Sequence, residues 1–500
     1  MREQRGPEAL PGLDQLASAA LNGDPTSPAI EFEGCWHTWA DLAEVANTVI
    51  DLVVQAGLDP RAPIGFVPRN RPSAVAAELG LIAARRTIKM IYAFQSPAGI
   101  ARDVRRLKVG AVVAAREDFT PDLLAVVREQ GLAAIALTEG GASAIDGAHR
   151  STAVLDDEAP TVPQVQVHTS GTTGPPKNIG FAYDMIERFI VGQNLSAVGA
   201  AAQDPTPVLL SFPLGNISGV YGTLVTMLGR RPAVLLDRFS LDAWRDFVRR
   251  YRPAMPMLPP AGVGMVLDAN IPPEELACIK MIMTGAAPLD PGVQRAFEDR
   301  YGIPILIAYG ATEFGGPVTA MTPELHAEFG TRKMGTVGRP FADARLRVID
   351  PDTHVILPAG SEGLLEVMAP RMGPHWIRTT DIGIIDDDGF VFLRGRADGA
   401  IVRGGFKLLP EAIERALSLH PSVAAVSVVG LRDSRLGHVP AAAIQFKRGA
   451  QHPTIAELEQ HLRQHVYATH IPARWLVVES LPRNSSVKID LPAVRALFEP

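Results

Sequence analysis

Short apolar runs alternate with amphipathic helical patterns through most of this sequence, and this alternation strongly limits the folds that it can adopt. Across residues 38–57, apolar side chains recur at spacings of three and four, which is typical of a helix with one buried face. The apolar run 62–67 follows and predicts a buried strand. The same patterns predict helices at 77–84, 241–251 and 292–301, and strands at 111–114, 208–212, 280–284 and 303–308. Strands that alternate with helices predict parallel α/β layers.

The pattern changes near residue 345. Short strand-like runs separated by turn residues, at 346–350, 363–367 and 390–393, predict a smaller β subdomain. After Gly395, a basic stretch precedes helix–strand–strand–helix patterning that continues to Pro500. This is enough chain for a separate α+β lobe of about 100 residues. We therefore predict an α/β protein with a large N-terminal domain of layered α/β subdomains, a β subdomain and a small C-terminal α+β domain.

Composition narrows the class of function. The 500 residues predict about three compact units. The net charge of −6 disfavours a nucleic acid or an anionic membrane as the main partner, and a small-molecule enzyme fits better. Cys35 and Cys278 are too few for a disulfide framework or a zinc ribbon, which favours a cytoplasmic location. We expect neither a secretory signal, since the first twenty residues lack an apolar core, nor a membrane span.

A loop rich in glycine and hydroxyl residues is the strongest local signal. The segment 169–177 reads TSGTTGPPK and follows an alternating, strand-like pattern. Its backbone N–H groups and hydroxyls can bind phosphate oxygens, and Gly171 and Gly174 permit close approach of the backbone. It is not a Walker loop, because two prolines precede Lys177 and no helix can begin on the loop. An ordinary polar turn is the alternative interpretation.

This loop and six further motifs, in the same order along the chain, resemble the adenylate-forming (ANL) superfamily of acyl-CoA synthetases, adenylation domains and luciferases. The matches cover nearly the whole chain, at 169–177, 285–289 (GAAPL), 309–313 (YGATE), 335–340 (GTVGRP), 380–383 (TDIG), 395–398 (GRAD) and 482–489 (PRNSSVKI). The resemblance implies an enzyme that uses ATP and Mg²⁺ to convert a carboxylic acid into an acyl adenylate (acyl-AMP), with CoA as the acceptor we favour.

The resemblance also implies which residues bind the nucleotide. The phosphates would lie against Thr169, Ser170, Gly171, Thr172, Thr173, Gly174 and Lys177. Adenine would lie between the turn Gly285-Ala286-Ala287-Pro288 and the ring of Tyr309, which Gly310 follows. Asp381 would accept both ribose hydroxyls, and Arg396 would reach the ribose or the phosphates. Outside their motifs, Asp381 would be interpreted as a turn former and Tyr309 as a core aromatic.

Three residues would carry the chemistry, as the resemblance implies. Thr312 would contact the α-phosphate, and Glu313 would hold Mg²⁺ through a hard carboxylate oxygen. Lys488 would bridge the substrate carboxylate and the α-phosphate. Adenylation joins two anions, so a positioned cation is chemically reasonable. As isolated residues, Glu313 and Lys488 would be interpreted as solvated charges.

The family pivots between two lobes, and Asp398 falls at its hinge. The implied division is an N-terminal adenylation domain, 1–397, and a mobile C-terminal domain, 398–500, that carries the catalytic lysine. Gly404 and Gly405 match the loop that lines the acceptor channel after rotation. A static turn at Asp398-Gly399 is the alternative, because Asp-Gly is common in such turns.

An acyl pocket is implied near Asn216, Ser218, Gly285, Ala308, Phe314 and Gly315. The small residues leave space and Phe314 can form an aromatic wall, so we predict an aromatic or heteroaromatic acid.

Several residues depart from the family pattern. Asn178 and Val487 stand where glycine is usual, and Asn484 replaces a threonine. Because β-branched residues resist positive φ, we predict an ordinary backbone at Val487. Three functions remain open: an acyl-CoA ligase, which we favour, a stand-alone amide bond synthetase that delivers the acyl group to an amine, and a nucleotide-binding homologue without catalysis. A carrier protein is a further possible acceptor.

Overall fold

The computed structural model describes residues 11–153, 160–169, 177–192, 206–341, 343–403, 406–433 and 435–499. The chain divides into two compact units, Met1–Ala243 and Trp244–Pro500. Both units combine helices with several sheets, which confirms the predicted α/β class.

The first unit contains two sheets. Its strands are β1 Pro28–Phe32, β2 Cys35–Thr38, β3 Ile64–Val67, β4 Ile88–Met90, β5 Ala111–Ala115, β6 Ala133–Thr138, β7 Gly141–Ala144, β8 Gln164–Thr169, β9 Lys177–Ala182, β10 Val208–Leu210 and β11 Ala233–Leu235. The larger sheet has the order β7-β6-β5-β3-β4-β8-β9 and the smaller one has the order β10-β11-β1-β2. The five central strands of the larger sheet are parallel, as predicted.

Both edge strands of the larger sheet are antiparallel to their neighbours, so the predicted parallel arrangement does not extend to the edges. The reason is the length of the connections. Only Glu139 and Gly140 join β6 to β7, and a two-residue turn can link antiparallel strands but not parallel ones.

The helices of the first unit are Leu13–Leu21, Trp39–Gln55, Pro72–Ala83, Pro97–Leu107, Pro121–Gln130, Tyr183–Met185 and Ile217–Leu228, with a π-helical turn at Ile186–Val191. Helix Trp39–Gln55 confirms the helix predicted from apolar spacing. The Asp41 N–H donates to Thr38 Oγ1 at 3.3 Å, and Thr38 N donates to the Asp41 carboxylate at 2.7 Å. This capping box fixes where the helix begins.

The second unit contains three sheets, of which two have four strands and one has five. Its strands are β12 Ile282–Gly285, β13 Ile305–Ala311, β14 Gly316–Ala320, β15 Arg339–Pro340, β16 Arg345–Ile349, β17 Glu362–Met368, β18 Ile377–Ile385, β19 Val391–Arg396, β20 Ile401–Arg403, β21 Phe406–Leu408, β22 Val423–Asp433, β23 Gly437–Phe446 and β24 Arg474–Val477. The sheet orders are β12-β13-β14-β15, β16-β17-β18-β19 and β21-β20-β23-β22, with β24 paired to β23. The antiparallel sheet β16–β19 is the predicted β subdomain.

The helices of the second unit are Leu241–Tyr251, which begins at the boundary, Pro260–Asp268, Pro273–Leu276, Pro291–Tyr301, Pro323–Phe329, Pro410–Ser418, Ile455–Arg463 and Leu491–Ala496. The last three helices accompany β20–β24, as the helix and strand pattern after Gly395 predicts. Ile413, Leu417, Ile444 and Leu458 belong to a buried apolar cluster there. The domain boundary at 397/398 stays a prediction. Among the described residues, no helix is both long and apolar enough to cross a lipid bilayer.

Candidate active site

The adenine turn predicted from the sequence follows β12. Gly285 ends this strand and lies opposite Ala308 of the parallel strand β13. A Cβ on Gly285 would come within 2.7 Å of the Ala308 carbonyl oxygen, so only glycine fits there. Ala286 has φ of 65°, a left-handed conformation that costs a non-glycine residue about 1–2 kcal/mol. Parallel strands end at the same edge of a sheet, so this turn lies beside the end of β13.

Strand β13 leads directly into the loop that carries the predicted catalytic pair. Thr312 and Glu313 lie in a short 3-10 helix, Thr312–Phe314, and both are half-buried. Gly315, with φ of 66°, then allows the chain to reverse into β14. A buried apolar strand thus brings two polar side chains to the edge of the core.

Tyr309 and Asp381 form a hydrogen bond that joins two sheets. The Tyr309 hydroxyl donates to Asp381 Oδ2 at 2.5 Å. Burial, followed by the negative charge of Asp381, raises the pKa of Tyr309 well above its ordinary value. Burial raises the pKa of the Asp381 carboxyl, while the Tyr309 hydrogen bond and the positive charge of Arg396 oppose that rise. The carboxylate is therefore desolvated and is held in place by the tyrosine.

Arg396 on β19 is paired with Asp381 on the neighbouring antiparallel strand β18. Its guanidinium donates to Asp398 Oδ1 and Oδ2 at 2.9 and 2.7 Å, and to Thr380 Oγ1 at 2.7 Å. The Asp398 hydrogen bond is the main cause that raises the pKa of Arg396. The carboxylate of Asp398, the predicted hinge residue, is therefore bound to Arg396, which is predicted to bind the nucleotide.

Lys488 lies close enough to Arg396 for their charges to interact. It stands on a short hairpin in which Arg483 pairs with Ile489. Lys488 is exposed to solvent. Loss of hydration, and then the positive charge of Arg396, lower the pKa of Lys488. The structure therefore brings Lys488, Arg396 and Asp381 together although they are far apart in the sequence.

The prediction of an ordinary backbone at Val487 is wrong. Val487 has φ of 62°. Its N–H donates to the Asn484 carbonyl at 2.9 Å, and the Asn484 N–H donates to the Lys488 carbonyl at 2.8 Å. The Asn484 side chain also accepts from the N–H groups of Ser486 and Lys488, at 3.0 and 3.1 Å. A three-residue hairpin loop places its last residue in the left-handed region, and these hydrogen bonds offset the strain on valine.

Glu313 has the chemistry expected of a Mg²⁺ ligand. Its negative charge contributes to the raised pKa values of Tyr309 and Asp381, so it faces the same site. No group of three or more His, Cys, Asp or Glu side chains among the described residues could hold a metal ion by itself. A single hard carboxylate fits Mg²⁺, which binds through one or two carboxylates together with substrate phosphates. The residues present are therefore compatible with the ion, and its binding stays a proposal.

Several predicted residues lie outside the described part of the chain. These are Ser170, Gly171, Thr172, Thr173 and Gly174 of the phosphate loop, and Gly404 and Gly405 of the predicted acceptor channel. The backbones of Thr169 and Lys177 are paired across β8 and β9, which the loop connects. The chain leaves the loop as a strand rather than as a helix, in agreement with the distinction from a Walker loop.

The predicted acyl-pocket residues are divided between the two units. Asn216 and Ser218 lie in the first unit, where Asn216 caps helix Ile217–Leu228 by accepting from the Gly219 N–H at 3.2 Å. Ala308, Phe314 and Gly315 lie in the second unit. Phe314 is buried, and its ring packs edge-on against that of Tyr309 with 6.0 Å between centroids. That all these residues line one pocket stays a prediction.

Sequence reasoning missed the supporting hydrogen bonds. Thr379 Oγ1 accepts from the Asp381 N–H at 2.9 Å and donates to the Leu365 carbonyl at 2.8 Å, which anchors the aspartate backbone. The position of Thr379 beside the TDIG motif was the only available signal. Nothing in the sequence distinguishes Arg371, whose guanidinium binds the backbone after Glu313.

Comparison with known proteins shows the family to which this chain belongs. The family model for AMP-binding enzymes matches residues 17–374, and the model for their C-terminal domain matches residues 412–488. The chain therefore belongs to the family of AMP-binding enzymes. It is an adenylate-forming ligase, which confirms the resemblance to the ANL superfamily.

Proteins that are similar to this chain over nearly its whole length are named for different acyl acceptors. A fatty acid–[acyl-carrier-protein] ligase, ScoC of Streptomyces coeruleorubidus, is 26% identical over 96% of this chain and 95% of its own. A sulfoacetate–CoA ligase of Cupriavidus necator is 26% identical over 98% of each chain. The structure of the amide bond synthetase McbA from Marinactinospora thermotolerans matches with a TM-score of 0.74 and 23% identity, over 97% of this chain and 99% of that one. The last similarity shows the fold alone.

Proposed function

We propose that the protein activates an aromatic or heteroaromatic carboxylic acid with ATP and then transfers the acyl group to the thiol of CoA. The observation that carries this proposal is a cluster of polar residues in the second unit, in which Asp381 accepts from Tyr309 and pairs with Arg396, and the charge of Arg396 acts on Lys488. The carboxylate can accept hydrogen bonds from a ribose, and the two cations can attract a reacting anion.

In the first step, a carboxylate oxygen of the acid attacks the α-phosphorus of ATP. The bond from this phosphorus to the bridging oxygen of the β-phosphate breaks, and pyrophosphate leaves. We assign Lys488 to the space between the two anions, because a positioned ammonium there would stabilise the negative charge that develops in the reaction. Mg²⁺ bound at Glu313 would supply further positive charge to the phosphates. We assign Thr312 to the α-phosphate.

Asp381 supports the nucleotide part of the proposal. A carboxylate has about four lone-pair sites, and the Tyr309 hydroxyl uses one of them. The others can accept from both ribose hydroxyls. Burial strengthens such hydrogen bonds, since water does not compete for the acceptor. The ring of Tyr309 would stack on adenine beside the Gly285-Ala286-Ala287-Pro288 turn.

In the second step, the CoA sulfur attacks the acyl carbon, the bond from that carbon to AMP breaks, and the thiol proton is released. The full-length similarity to a CoA ligase supports this acceptor. An amine is the second candidate acceptor, and McbA, which shares the fold, is by its name an amide bond synthetase. In that case an amine nitrogen attacks the same carbon, the bond from that carbon to AMP breaks, the nitrogen loses a proton, and an amide forms. In either case the proposal of an aromatic acid rests on the prediction that Phe314 forms a wall of the acyl pocket. Cys35 and Cys278 are both free, which supports a cytoplasmic location.

The test is acid-dependent pyrophosphate release from ATP, measured with a panel of aryl and alkyl acids. Products formed with CoA and with several amines are then identified by mass. Acid-dependent release with acyl-CoA as product supports the proposal, and an amide without acyl-CoA supports the second candidate. ATP binding without release for any acid would favour a homologue that has lost catalysis.

Lys488→Ala tests the catalytic assignment. We expect release to fall by about 10²–10³-fold, as when one preorganised charge donor is removed, with little change in ATP affinity. Lys447→Ala is the matched control, because Lys447 is an exposed lysine of the same C-terminal segment. Unchanged release in Lys488→Ala would contradict the role.

We also propose that residues 398–500 move as a lobe that pivots at Asp398. Proline there would fix φ near about −65° and remove an N–H group. We expect Asp398→Pro to form acyl-AMP in a single turnover but to lose transfer to CoA. Because proline also removes the carboxylate bound to Arg396, Asp398→Asn controls for the lost charge. Equal loss of both half-reactions in Asp398→Pro, relative to Asp398→Asn, would count against the pivot.

A further inference from the structure

Arg371 lies outside every motif considered so far, yet it binds the loop that carries Thr312 and Glu313. Its Nε donates to the Phe314 carbonyl at 2.6 Å, and its Nη2 donates to the Pro317 carbonyl. Arg371 itself is half-buried in a short 3-10 helix, Pro370–Met372, that follows β17. One side chain therefore bridges a carbonyl of the β13–β14 connection and a carbonyl at the start of β14.

Two consecutive glycines stand where this connection enters β14. Gly315 and Gly316 have φ of 66° and 115°, and two consecutive glycines have a large conformational freedom to lose. On one side the backbone is already packed tightly, because a Cβ on Gly310 would come within 2.4 Å of the Gly316 carbonyl oxygen. The two hydrogen bonds from Arg371 hold the carbonyls before and after the glycine pair. The segment is thus restrained by both contacts.

The chemistry of the contact requires arginine. Two carbonyl oxygens can accept together from the rigid, planar fork of a guanidinium, whereas a lysine ammonium is a point donor on a flexible stem. Partial burial makes each unmade hydrogen bond to a carbonyl costly. A solvated arginine on a loop would show neither feature.

We propose that Arg371 is a positioning residue for adenylation, which fixes the Thr312–Phe314 turn so that Thr312 and Glu313 are aligned with the phosphates. The inference rests on the proposed function, since those two residues are assigned there to the α-phosphate and to Mg²⁺. Arg371 does not contact the reacting atoms in this role. It acts through the backbone of residues 314–317.

The test compares Arg371→Met and Arg371→Lys with Arg378→Met. Arg378 is an exposed arginine of the same β subdomain that binds Glu366 and His354 instead of the loop. Two readouts are used on the full chain: acid-dependent pyrophosphate release, and amide hydrogen exchange in peptides that cover residues 312–320. ATP affinity is measured by calorimetry for each variant.

We expect Arg371→Met to lower the maximal rate of release by on the order of 10²-fold, because a displacement of about 1 Å in a reacting site has this effect. ATP affinity should change little, exchange at 312–320 should rise, and Arg371→Lys should recover part of the rate. Arg378→Met should change neither readout. Equal losses in Arg371→Met and Arg378→Met, or unchanged exchange in Arg371→Met, would overturn the inference. A wild-type chain without acid-dependent release would contradict the proposed function, and exchange would still decide whether Arg371 restrains the loop.

Discussion

At the scale of single residues, Tyr309 combines an aromatic ring with a hydrogen-bonding hydroxyl. The ring of Tyr309 offers a surface on which adenine could stack, and its hydroxyl donates to Asp381 Oδ2 at 2.5 Å. Neither property replaces the other. A phenylalanine keeps the ring and loses only the hydrogen bond, so the two contributions can be separated by experiment.

We predict that Tyr309→Phe raises the KM for ATP by about 2–13-fold with a small change in kcat, which corresponds to the 0.5–1.5 kcal/mol of a typical hydrogen bond. The hydroxyl also stabilises the Asp381 anion, so its loss raises the pKa of that carboxyl further. The loss of ATP affinity at low pH should therefore begin at a higher pH in the variant. Steady-state kinetics between pH 5 and 8 measures both effects.

Tyr301→Phe is the control for this prediction. Its hydroxyl donates to the Ile271 carbonyl at 2.9 Å in the same unit and does not contact Asp381. If the pH at which ATP affinity begins to fall shifts equally in both variants, the Tyr309 hydroxyl has no specific effect on Asp381.

At the scale of elements, the hairpin between Arg483 and Ile489 controls how Lys488 is presented. Its turn requires a left-handed residue directly before the lysine, and the chain supplies Val487 at φ of 62°. A β-branched residue pays a strain of about 1–2 kcal/mol in that conformation. Glycine would relieve this strain, at a cost of about 0.5–1 kcal/mol in chain entropy.

We therefore predict that Val487→Gly stabilises the hairpin by about 0.5–1 kcal/mol, the difference between these two costs. Thermal unfolding and amide exchange in the peptide 481–490 measure the change. Val477→Gly is the comparison, because Val477 is an exposed valine on β24 with ordinary strand geometry, and glycine should destabilise it. Destabilisation of similar size in both variants would refute the strain argument.

At the scale of the whole molecule, a buried carboxyl makes stability depend on pH. Glu78 is fully buried in helix Pro72–Ala83, and both of its carboxyl oxygens lack a hydrogen-bond partner among the described residues. Burial raises its pKa from 4.5 to about 8. The folded chain therefore keeps the carboxyl neutral over a pH range in which the unfolded chain ionises it. The resulting stability is fully present below pH 4.5 and is lost as the pH rises towards 8.

We predict that Glu78→Met becomes progressively more stable than the wild type as the pH increases from 5 to 8, by up to about 1.4 kcal/mol per pH unit. Thermal unfolding at several pH values tests this. Glu44→Gln serves as the control, because Glu44 is exposed on the neighbouring helix and should leave the pH dependence unchanged. A stability difference between Glu78→Met and the wild type that stays constant with pH would contradict the prediction.

Local patterns in the sequence determined individual helices and the family to which the protein belongs. Apolar spacing predicted helix Trp39–Gln55, since burial of one face depends on nearby residues, and Thr38 with Asp41 supplied the cap. The motifs indicated the adenylate-forming family, which the family models confirm, and they predicted residues for its site. They could do so because the motifs of the family occur in this sequence in the family's own order.

Only the tertiary structure decided which of these residues contact one another. Tyr309 and Asp381 are 72 positions apart, and Arg371 and Phe314 are 57 apart, so no local pattern links them. The backbone of Val487 was predicted wrongly from its own preference, because pairing between Arg483 and Ile489 imposes the turn. Hydrogen bonds between distant segments form only when packing has brought their elements together, and a sequence read locally does not contain that geometry.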